Sequence, residues 1–597
     1  MSVTGIALDD WVAQGKVFRY RGHQIRWWEA GAGEPLLLIH GFPSGSWDWH
    51  YLWQALAERY RVIALDMIGF AFSDKPQHYP YSLLDQADLQ QALMGSLDIA
   101  EYHVLAHDYG DSVAQELLAR HEQGAAFMAD GYARATGKPG VAYVITGPGL
   151  TNAMTAMGQA YSDSVPLLVI SSCLNRADLG MGRGRLHEMN DQEIAGGTVS
   201  DWSRTAMDAQ SAYDLIDRAL REFQTGRART KHIQIPIEVL GASAPPPLPA
   251  SSLFVAGAVV GDDVLKRVVA AKRPLFVFGG GARHCADEAR GVTDRLGAAS
   301  FMTYAGRGII APDAPLSYGS YLGRPESEAV IASADVVVAI GTELSETDLW
   351  RDGLGHTSLL IRVDLDPAEL SDPGALNVLC DAKAFLQALD LYSEGHATQT
   401  SWQATEASAA RRRWRAQTDA ERPHVAPVAE ALRDILPDDA MIFSDMTQFA
   451  YVAKEIWDMP APGLWHHPYG FGTLGYALPA AIGGKIGVGD QPVLAIAGDY
   501  GFQYTLQELG TVAELGLSLP ILLWDNGLLK EIEGSMEASQ IAPVAIKAQN
   551  PDFGLLAQAY GLGYMRPLDL AGFQEAVLAA LRAPGPVLIH MTPEMAG

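Results

Sequence analysis

The stretch from Leu494 to Leu528 constrains the fold more than any other part of this chain. An apolar run ends at Gly498-Asp499-Tyr500-Gly501, a helical pattern continues through Leu515, and a second apolar run ends at Asp525-Asn526-Gly527. This order predicts a strand, a tight turn, a helix and a second, parallel strand. The polar side chains then lie at the carboxyl ends of two strands, where open α/β sheets bind ligands.

The residue types in the two turns indicate what this ligand is. A carboxylate at Asp499 and a carboxamide oxygen at Asn526 suit Mg²⁺, which takes phosphate oxygens and water in its other positions. Gly498 and Gly501 let the backbone approach a phosphate at the N-terminus of the helix. The unit is therefore predicted to hold a Mg²⁺ diphosphate. The alternative is that Asp499 caps a helix and Asn526 turns a loop.

The spacing of these residues resembles a known motif. Gly-Asp-Tyr, twenty-five residues and then Asn is similar to the diphosphate and metal motif of the thiamine diphosphate (ThDP) enzymes, the family of acetolactate synthase and pyruvate decarboxylase. The resemblance implies parallel α/β domains that bind ThDP and Mg²⁺. It makes Asp499, Asn526 and Leu528 the metal positions, and it places Gly498, Tyr500 and Gly501 beside the diphosphate. Tyr500 departs from the family, which usually has Gly there.

Two segments before this motif extend the resemblance. In FSDMTQFAYVAKEI, Thr447 and Gln448 resemble residues that touch the diphosphate. In HHPYGFGTLGYALP, Leu474 resembles the bulky apolar residue that props the cofactor into a bent shape, and Gly472 resembles the residue whose carbonyl accepts from its amino group. Core packing is the alternative role for Leu474.

From His121 the chain resembles the pyrimidine-binding domain of the same family, beginning at an Arg-His-Glu-Gln-Gly junction. By that resemblance Glu122 is the catalytic glutamate. Its carboxyl group favours the imino tautomer of the aminopyrimidine, whose nitrogen then removes the thiazolium proton. Within Gly180 to Gln192, His187 stands where acetolactate synthases tend to carry Gln. Proton relay by His187 and a plain surface loop are both left open.

Residues 15 to 120 resemble another family. Their order of motifs is similar to the first half of an α/β-hydrolase of the haloalkane dehalogenase and epoxide hydrolase branch. Ala106 and Gly110 flank Asp108 at the spacing of a nucleophile elbow, so the resemblance makes Asp108 the nucleophile. Such an enzyme also needs a later acid and a His general base, and the cap and last strands of that family have no counterpart here, which leaves a distant His as the remaining source of the base. Asp108 is therefore expected to be a structural relic, with hydrolase activity as the alternative.

The two resemblances meet in the sequence LLARHEQG, which fits either family. The chain looks like a hybrid in which half a hydrolase replaces the start of a pyrimidine-binding domain, by recombination, by an error in the gene or by artificial fusion. The sequence also allows one helix from about Ser112 to Thr136, although Gly124 and Gly131 each cost it about 1 kcal/mol relative to Ala. In that arrangement Glu122 would not reach a cofactor, and the chain would bind cofactor without catalysis.

The whole chain is predicted to be α/β, with a partial hydrolase sheet before three ThDP-enzyme domains. The Gly279 to Gly281 run lacks the spacing of a dinucleotide motif, which favours a middle domain without FAD. The expected segments are a hydrolase part at 1–120, a truncated pyrimidine-binding domain at 121–241, a Pro-rich linker at 242–254, a middle domain at 255–390, a linker at 391–425 and a diphosphate-binding domain at 426–592.

Charge and cysteine content exclude several classes of protein. The chain has 43 Lys and Arg against 70 Asp and Glu, a net charge of -27, which argues against nucleic acid and anionic membranes as partners. Three widely spaced cysteines suit a reducing compartment. The sequence shows no secretory leader and no apolar run that spans a bilayer, so a cytoplasmic protein is expected.

The resemblance implies a carbon-carbon lyase or transferase that decarboxylates a small 2-oxo acid through an enamine, with or without carboligation to a second oxo acid. The sequence LLKEIEGSMEAS after Asn526 resembles the branch of 5-guanidino-2-oxopentanoate decarboxylases. One of Glu531, Glu533 and Glu537 is therefore expected to receive a cationic substrate tail. The alternative is a solvated acidic helix.

The same resemblance implies how the site is assembled. It places the active site between two subunits of a homodimer or homotetramer. Glu122 would come from one chain, and Asp499 and Asn526 from the other.

Overall fold

The computed structural model describes residues 5–41, 44–79, 81, 83–99, 102–106, 121–242, 244, 260–396, 400–547 and 549–596. In this part of the chain the strands form four sheets, three of them wholly parallel. The fold class predicted from the sequence is confirmed. No helix among these residues is long and apolar enough to cross a membrane.

The N-terminal sheet has five strands in the order β1-β2-β4-β3-β5. A hairpin joins β1 and β2, and β3 runs parallel to β4 and β5. Alternate residues of a strand face opposite sides, so Leu37 packs toward the helix Leu83–Ser96, while Leu36 packs toward Trp11 and Trp53. The elements are β1 Lys16–Tyr20, β2 His23–Ala30, β3 Glu34–Ile39, β4 Tyr60–Leu65 and β5 His103–Ala106, with helices Leu8–Gln14, Trp53–Ala57 and Leu83–Ser96.

The second sheet is parallel and has the order β6-β7-β9-β8. Its strands are β6 Gly140–Val144, β7 Leu167–Cys173, β8 Trp202–Thr205 and β9 Lys231–Pro236, and its helices are Glu122–Thr136, Pro148–Ser162, Gln192–Gly197, Ala209–Thr225 and Ile237–Leu240. The first of these helices begins at Glu122 because His121 is extended (φ -155°, ψ 146°) and its ring accepts from the Gln123 N–H. The single helix from Ser112 to Thr136 is therefore wrong.

The middle sheet is parallel in the order β11-β10-β12-β13-β14. The segment 391–425, expected as a linker, contains a helix whose Trp414 is fully buried against Phe301 and Tyr321. The apolar residues Ala407, Ala410 and Trp414 share one helix face, so this helix completes the middle core. The elements are β10 Pro274–Phe278, β11 Ala299–Met302, β12 Val336–Ile340, β13 Leu359–Asp364 and β14 Leu376–Leu379, with helices Asp262–Val269, Ala286–Leu296, Ser327–Ala332, Glu346–Leu349, Ala382–Ser393 and Ala404–Glu421.

The C-terminal sheet is parallel in the order β16-β15-β17-β18-β20-β19. Its strands are β15 Met441–Ser444, β16 Trp465–His466, β17 Val493–Gly498, β18 Pro520–Trp524, β19 Gly563–Met565 and β20 Val587–Met591. Its helices are Val425–Arg433, Gln448–Ile456, Ala477–Val488, Asp499–Tyr504, Glu508–Glu514, Lys530–Ala538, Phe553–Ala559 and Leu570–Ala580. Short 3₁₀ turns lie at Ser46–Trp49, Gly280–Cys285, Tyr304–Gly306, Pro367–Glu369 and Pro593–Ala596.

The helix predicted to run through Leu515 is two helices. The backbone leaves the helical region at Thr505 (φ -130°, ψ 30°), and the Thr505 hydroxyl donates to Gly475 O at 2.9 Å. This tertiary hydrogen bond explains the break, which the apolar spacing alone does not reveal.

The second and C-terminal domains share one hydrophobic core through a helix pair. The helix Glu122–Thr136 lies directly on the helix Ala477–Val488. A Cβ atom on Gly131 would overlap the carbonyl of Ala480, and one on Gly483 would overlap the carbonyl of Met128. Glycine at these two positions therefore lets the two helix backbones touch.

Candidate active site

The two polar turns predicted from the sequence lie side by side. Strands β17 and β18 are neighbours with Gly498 opposite Trp524, so Asp499 and Asn526 follow adjacent strand ends. Asp499 is 3% exposed and opens its helix. The Gly527 N–H donates to Asp499 Oδ2 at 3.1 Å, which joins the two turns. The carboxylate of Asp499 is thus oriented by the neighbouring turn.

Asn526 is oriented by its own turn. Its Oδ1 accepts from the Leu528 N–H at 3.2 Å, and its Nδ2 donates to Gln448 Oε1 at 3.4 Å. Gln448 therefore lies beside the turn that contains Asn526. Because an amide oxygen has two lone pairs, Asn526 Oδ1 keeps one for a cation. Asp499 and Asn526 thus combine a turn role with oxygens suited to Mg²⁺.

A second carboxylate, Asp525, stands beside Asp499. Burial raises the pKa of Asp499, and the charge of Asp525 adds to this rise, while the hydrogen bond from Asn550 opposes it. Although burial alone would raise the pKa of Asp525, the hydrogen bond and charge of His590 hold it below its ordinary value. Two adjacent carboxylates repel each other, and a divalent cation relieves that repulsion.

Asp525, Asn550 and His590 were not predicted as site residues from the sequence. Asp525 could have been found from its position next to Asn526. Asn550 and His590 come from distant segments, and no spacing in the sequence connects them to Asp499.

The glycines of the first turn are surrounded closely. A Cβ atom on Gly498 would lie 3.2 Å from Thr447 Oγ1, and one on Gly501 would lie 2.6 Å from Asp445 Oδ2. Thr447 stands at the N-terminus of the helix Gln448–Ile456, while Tyr500 is half-buried. The predicted diphosphate residues therefore converge at two helix N-termini, which favour an anion.

Asp445 connects the turn of Gly498 to Gly501 with the turn that carries Leu474. The backbone N–H groups of Gly475 and Met446 donate to its carboxylate at 2.8 and 2.9 Å. Burial raises the pKa of Asp445 to about 7, and these N–H groups oppose the rise. The sequence reasoning did not identify Asp445 as part of the site.

The turn from Gly472 to Gly475 is left-handed at both glycines, with φ of 67° and 83°. This conformation leaves Leu474 half-buried. The Thr473 hydroxyl donates to Gln159 Oε1 at 3.3 Å, so the turn is also fixed to the second domain. Leu474 thus has the exposure and the rigid support that a cofactor prop needs.

Glu122 occupies the first position of its helix and is half-buried. Asn152 Nδ2 donates to Glu122 Oε2 at 3.0 Å. Within one chain, no hydrogen bond or ion pair joins Glu122 to the described residues of the C-terminal domain. The structure therefore brings Asp499, Asn526, Thr447 and Gln448 together, and it shows Glu122 bonded to Asn152.

His187 lies in a tightly bonded loop. Its backbone is left-handed (φ 62°) and packs on Gly147. The carboxylate of Glu188 accepts from the Arg183 and Arg185 N–H groups at 3.1 and 2.8 Å, and these two arginines pair with a single carboxylate, Asp178. Proton relay by His187 stays a prediction. Asp108, the predicted hydrolase nucleophile, lies outside the described residues.

A buried polar chain supports the loop beside His187. The Gly147 N–H donates to Gln192 Oε1 at 2.9 Å, and Gln192 Nε2 donates to Ser171 Oγ at 3.0 Å. The His232 ring lies between the hydroxyls of Ser171 and Ser203 at 2.8 and 2.7 Å. Burial lowers the pKa of His232 to about 4.

The burial of His232 predicts that the free energy of unfolding depends on pH. The unfolded chain takes up a proton near pH 6.5 and the folded chain only near pH 4, so the free energy of unfolding falls as pH drops between these values. The slope from this group approaches about 1.4 kcal/mol per pH unit. Urea unfolding at a series of pH values measures it. His232→Gln, whose amide can bond both hydroxyls, is expected to flatten the curve; an unchanged slope contradicts the prediction.

Comparisons with known proteins agree with this geometry. Three models of thiamine pyrophosphate enzymes match: the N-terminal binding domain at residues 93–194, the central domain at 262–389 and the C-terminal binding domain at 445–591. A model of the alpha/beta hydrolase fold matches residues 34–128. The range 93–194 of the N-terminal binding domain and the range 34–128 of the hydrolase model both include β5. In the structure β5 pairs with β3 of the N-terminal sheet.

Several relatives cover most of the chain. A probable 2-ketoarginine decarboxylase, AruI, of Pseudomonas aeruginosa is 42% identical over 489 residues, which are 80% of this chain and 87% of that protein. An acetolactate synthase of Arthrospira platensis is 28% identical over 79% of this chain and 86% of its own length. Acetolactate synthase isozyme 3 large subunit of Escherichia coli is 28% identical over 80% and 87%. The chain therefore belongs to the family of thiamine pyrophosphate enzymes.

Proposed function

We propose that this chain is a ThDP- and Mg²⁺-dependent decarboxylase of a 2-oxo acid. The observation that carries the proposal is the pairing of Asp499 and Asn526 at adjacent strand ends beside a glycine-lined cradle. The 42% identity to a probable 2-ketoarginine decarboxylase supports the same reaction class.

The residues present fit the cofactor and the cation. Asp499 Oδ1, Asn526 Oδ1 and Leu528 would hold Mg²⁺, and the turn of Gly498 to Gly501 would hold the diphosphate. Bound ThDP supplies an electron sink for the bond that breaks when CO₂ leaves. Leu474, which is half-buried in a turn with two left-handed glycines, would pack against the bound cofactor.

The role of Glu122 is to hold a proton at its carboxyl group. Since Asn152 already donates to Oε2, Oε1 is left to bond the aminopyrimidine ring. Among the described residues of one chain, Glu122 makes no hydrogen bond or ion pair with the C-terminal domain, which is compatible with a site shared by two subunits. The protein is accordingly proposed to be a homodimer or a tetramer built from such dimers.

The proposal includes no FAD in the middle domain. A Cβ atom on Gly279 would overlap Gly341 O, and one on Gly281 would lie 2.9 Å from the Gly341 Cα. These glycines are explained by the close packing of two turns, so they require no dinucleotide.

The substrate tail is proposed to be a guanidino group. Arg422 donates from Nε and Nη2 to the two oxygens of Glu531 at 3.0 and 2.8 Å, so Glu531 already binds a guanidinium at two points, and the substrate tail would take this place by displacing Arg422. The Arg422 guanidinium lies 5.8 Å from the Tyr451 ring, and the Tyr451 hydroxyl lies 3.8 Å from Met446 Sδ, next to Gly472. Glu533 instead pairs with Lys530, and Glu537 is exposed.

Substitution of Glu531 tests the substrate tail. Glu531→Gln is expected to raise KM for 5-guanidino-2-oxopentanoate by about 10-fold or more, because a charged hydrogen bond contributes about 1.5–3 kcal/mol. KM for pyruvate should stay constant. Steady-state CO₂ release measures both, with Glu537→Gln on the same helix as the matched control. Equal changes for the two substrates would contradict the assignment.

The reaction itself is tested by titrating ThDP and Mg²⁺ together while the melting temperature is measured, followed by CO₂ detection over a panel of 2-oxo acids. A stabilisation that needs both ligands, and CO₂ release that depends on them, are expected. Carboligation of the acetolactate synthase type is the second candidate, favoured by the 28% identical relatives, and acetohydroxy acid among the products would identify it. Halide release or epoxide opening that disappears in Asp108→Asn would instead identify a hydrolase.

A further inference from the structure

The side-chain amide of Asn550 lies between the carboxylates of Asp499 and Asp525. Its Nδ2 donates to Asp499 Oδ2 at 2.7 Å and to Asp525 Oδ1 at 2.9 Å. On its other side, Asn550 Oδ1 accepts from Gln503 Nε2 at 3.2 Å. These three partners are all side chains of the C-terminal domain.

The chemistry of the partners fixes the orientation of the amide. Both groups on the carboxylate side are acceptors, so the nitrogen of Asn550 must face them, and its two N–H bonds serve one carboxylate each. The Gly527 N–H is shared in the same way, at 3.1 Å from Asp499 Oδ2 and 3.1 Å from Asp525 Oδ1. Two sets of donors therefore hold the carboxylates next to each other.

The second oxygen of Asp525 is bound by His590. His590 Nε2 lies 2.9 Å from Asp525 Oδ2, and the Tyr564 hydroxyl lies 2.9 Å from His590 Nδ1. His590 is 6% exposed, so this bond is shielded from water. A continuous chain of hydrogen bonds thus runs from Tyr564 through His590, Asp525 and Asn550 to Asp499.

This arrangement holds one oxygen of Asp499 from two directions. The Gly527 N–H and Asn550 Nδ2 both donate to Oδ2. Fixing Oδ2 from two directions fixes the direction of Oδ1 as well. Partners of this kind orient a ligand before the cation arrives, and their loss typically lowers metal affinity about 10- to 100-fold.

We propose that Asn550 is a positioning residue for the cation site, and that Asp525 and His590 hold Asn550 in place. The proposal rests on the proposed function only in that Asp499 binds the cation. It assigns no catalytic step to Asn550, because this residue acts through the ligand Asp499.

The chain offers a matched control. Gln549 precedes Asn550, is exposed and lines the same open cleft of about 500 Å³ with Tyr500, Gln503 and Tyr504. Asn550 itself is only half-buried. Asn550→Leu removes the amide at similar size, and Gln549→Leu makes the equivalent change one residue away without touching the carboxylates.

Manganese binding to the full-length protein in the presence of ThDP is the measurement, read by the loss of the free Mn²⁺ electron paramagnetic resonance signal. Asn550→Leu is expected to weaken Mn²⁺ binding about 10- to 100-fold. Gln549→Leu should bind as the parent does. Melting temperatures without cation should agree among the three proteins, since a merely structural role would lower the melting temperature instead.

His590 supplies a second, independent test. His590→Leu removes the donor to Asp525 and should weaken Mn²⁺ binding, whereas His590→Gln keeps an N–H at a similar reach and should restore it. Equal Mn²⁺ affinity in Asn550→Leu and the parent, or no difference between the two His590 variants, would overturn the proposal alone. Failure of the parent protein to bind Mn²⁺ with ThDP would overturn the cation site and the proposed function together.

Discussion

Replacement of Glu122 by Gln is expected to lower kcat by about 10²- to 10⁴-fold, the contribution of a positioned proton-transfer group. Gln keeps the size of the side chain and the bond to Asn152 but cannot hold the proton that the aminopyrimidine ring requires. Mg²⁺-dependent ThDP binding should persist, because the proposed cation ligands Asp499 and Asn526 are held by other residues. Single-turnover CO₂ release and the ThDP-dependent melting shift measure the two effects separately.

An unchanged kcat in Glu122→Gln would remove this residue from the reaction. Loss of ThDP binding along with activity would show that Glu122 has a structural role.

Replacement of Asp499 by Ala has a different signature. It removes the carboxylate that would bind the cation, so Mg²⁺-dependent ThDP binding and activity should both fall. The activity should fall by on the order of 10³-fold, because a metal ion stabilises charge by several kcal/mol. The ThDP-dependent melting shift should disappear at Mg²⁺ concentrations that saturate the parent. Tyr504→Phe, which changes an exposed side chain on the same helix, is the control for general disturbance. Persistence of the melting shift in Asp499→Ala would contradict the metal assignment.

The two inactive variants together test whether the site is shared. If Glu122 comes from one subunit and Asp499 from its partner, a mixed dimer has one intact site and one doubly altered site. Random mixing should then restore about a quarter of the parent activity, because half of the dimers are mixed and each has half its sites. No recovery after unfolding and refolding the mixture would contradict a site between subunits.

The sequence predicted the parts of the site that follow from local chemistry. Gly498, Asp499 and Asn526 stand at strand ends, where short polar and flexible residues have local reasons to occur, and β17 and β18 are adjacent as the βαβ pattern predicts. The hydrolase-like start and the three family domains were recognisable because their motifs are continuous stretches. The family assignment is confirmed by the comparisons.

The residues that the sequence did not reveal act through tertiary contacts. Asp445, Asn550 and His590 bind the site from three separate segments, and no periodicity relates them. The segment 391–425 was expected to be a linker because it is rich in charged residues. The buried face that carries Trp414 is therefore hard to recognise from the sequence. The helix break at Thr505 likewise depends on a partner, Gly475, that lies 30 residues away.

The backbone contacts between Gly131 and Ala480, and between Gly483 and Met128, form a seam between the second and C-terminal domains. The core around this seam contains, among the described residues, only residues from 125 onward. The described residues of the N-terminal sheet pack instead into clusters of their own. The relative placement of the two cofactor-binding domains is therefore set by contacts in which the hydrolase-like segment takes no part.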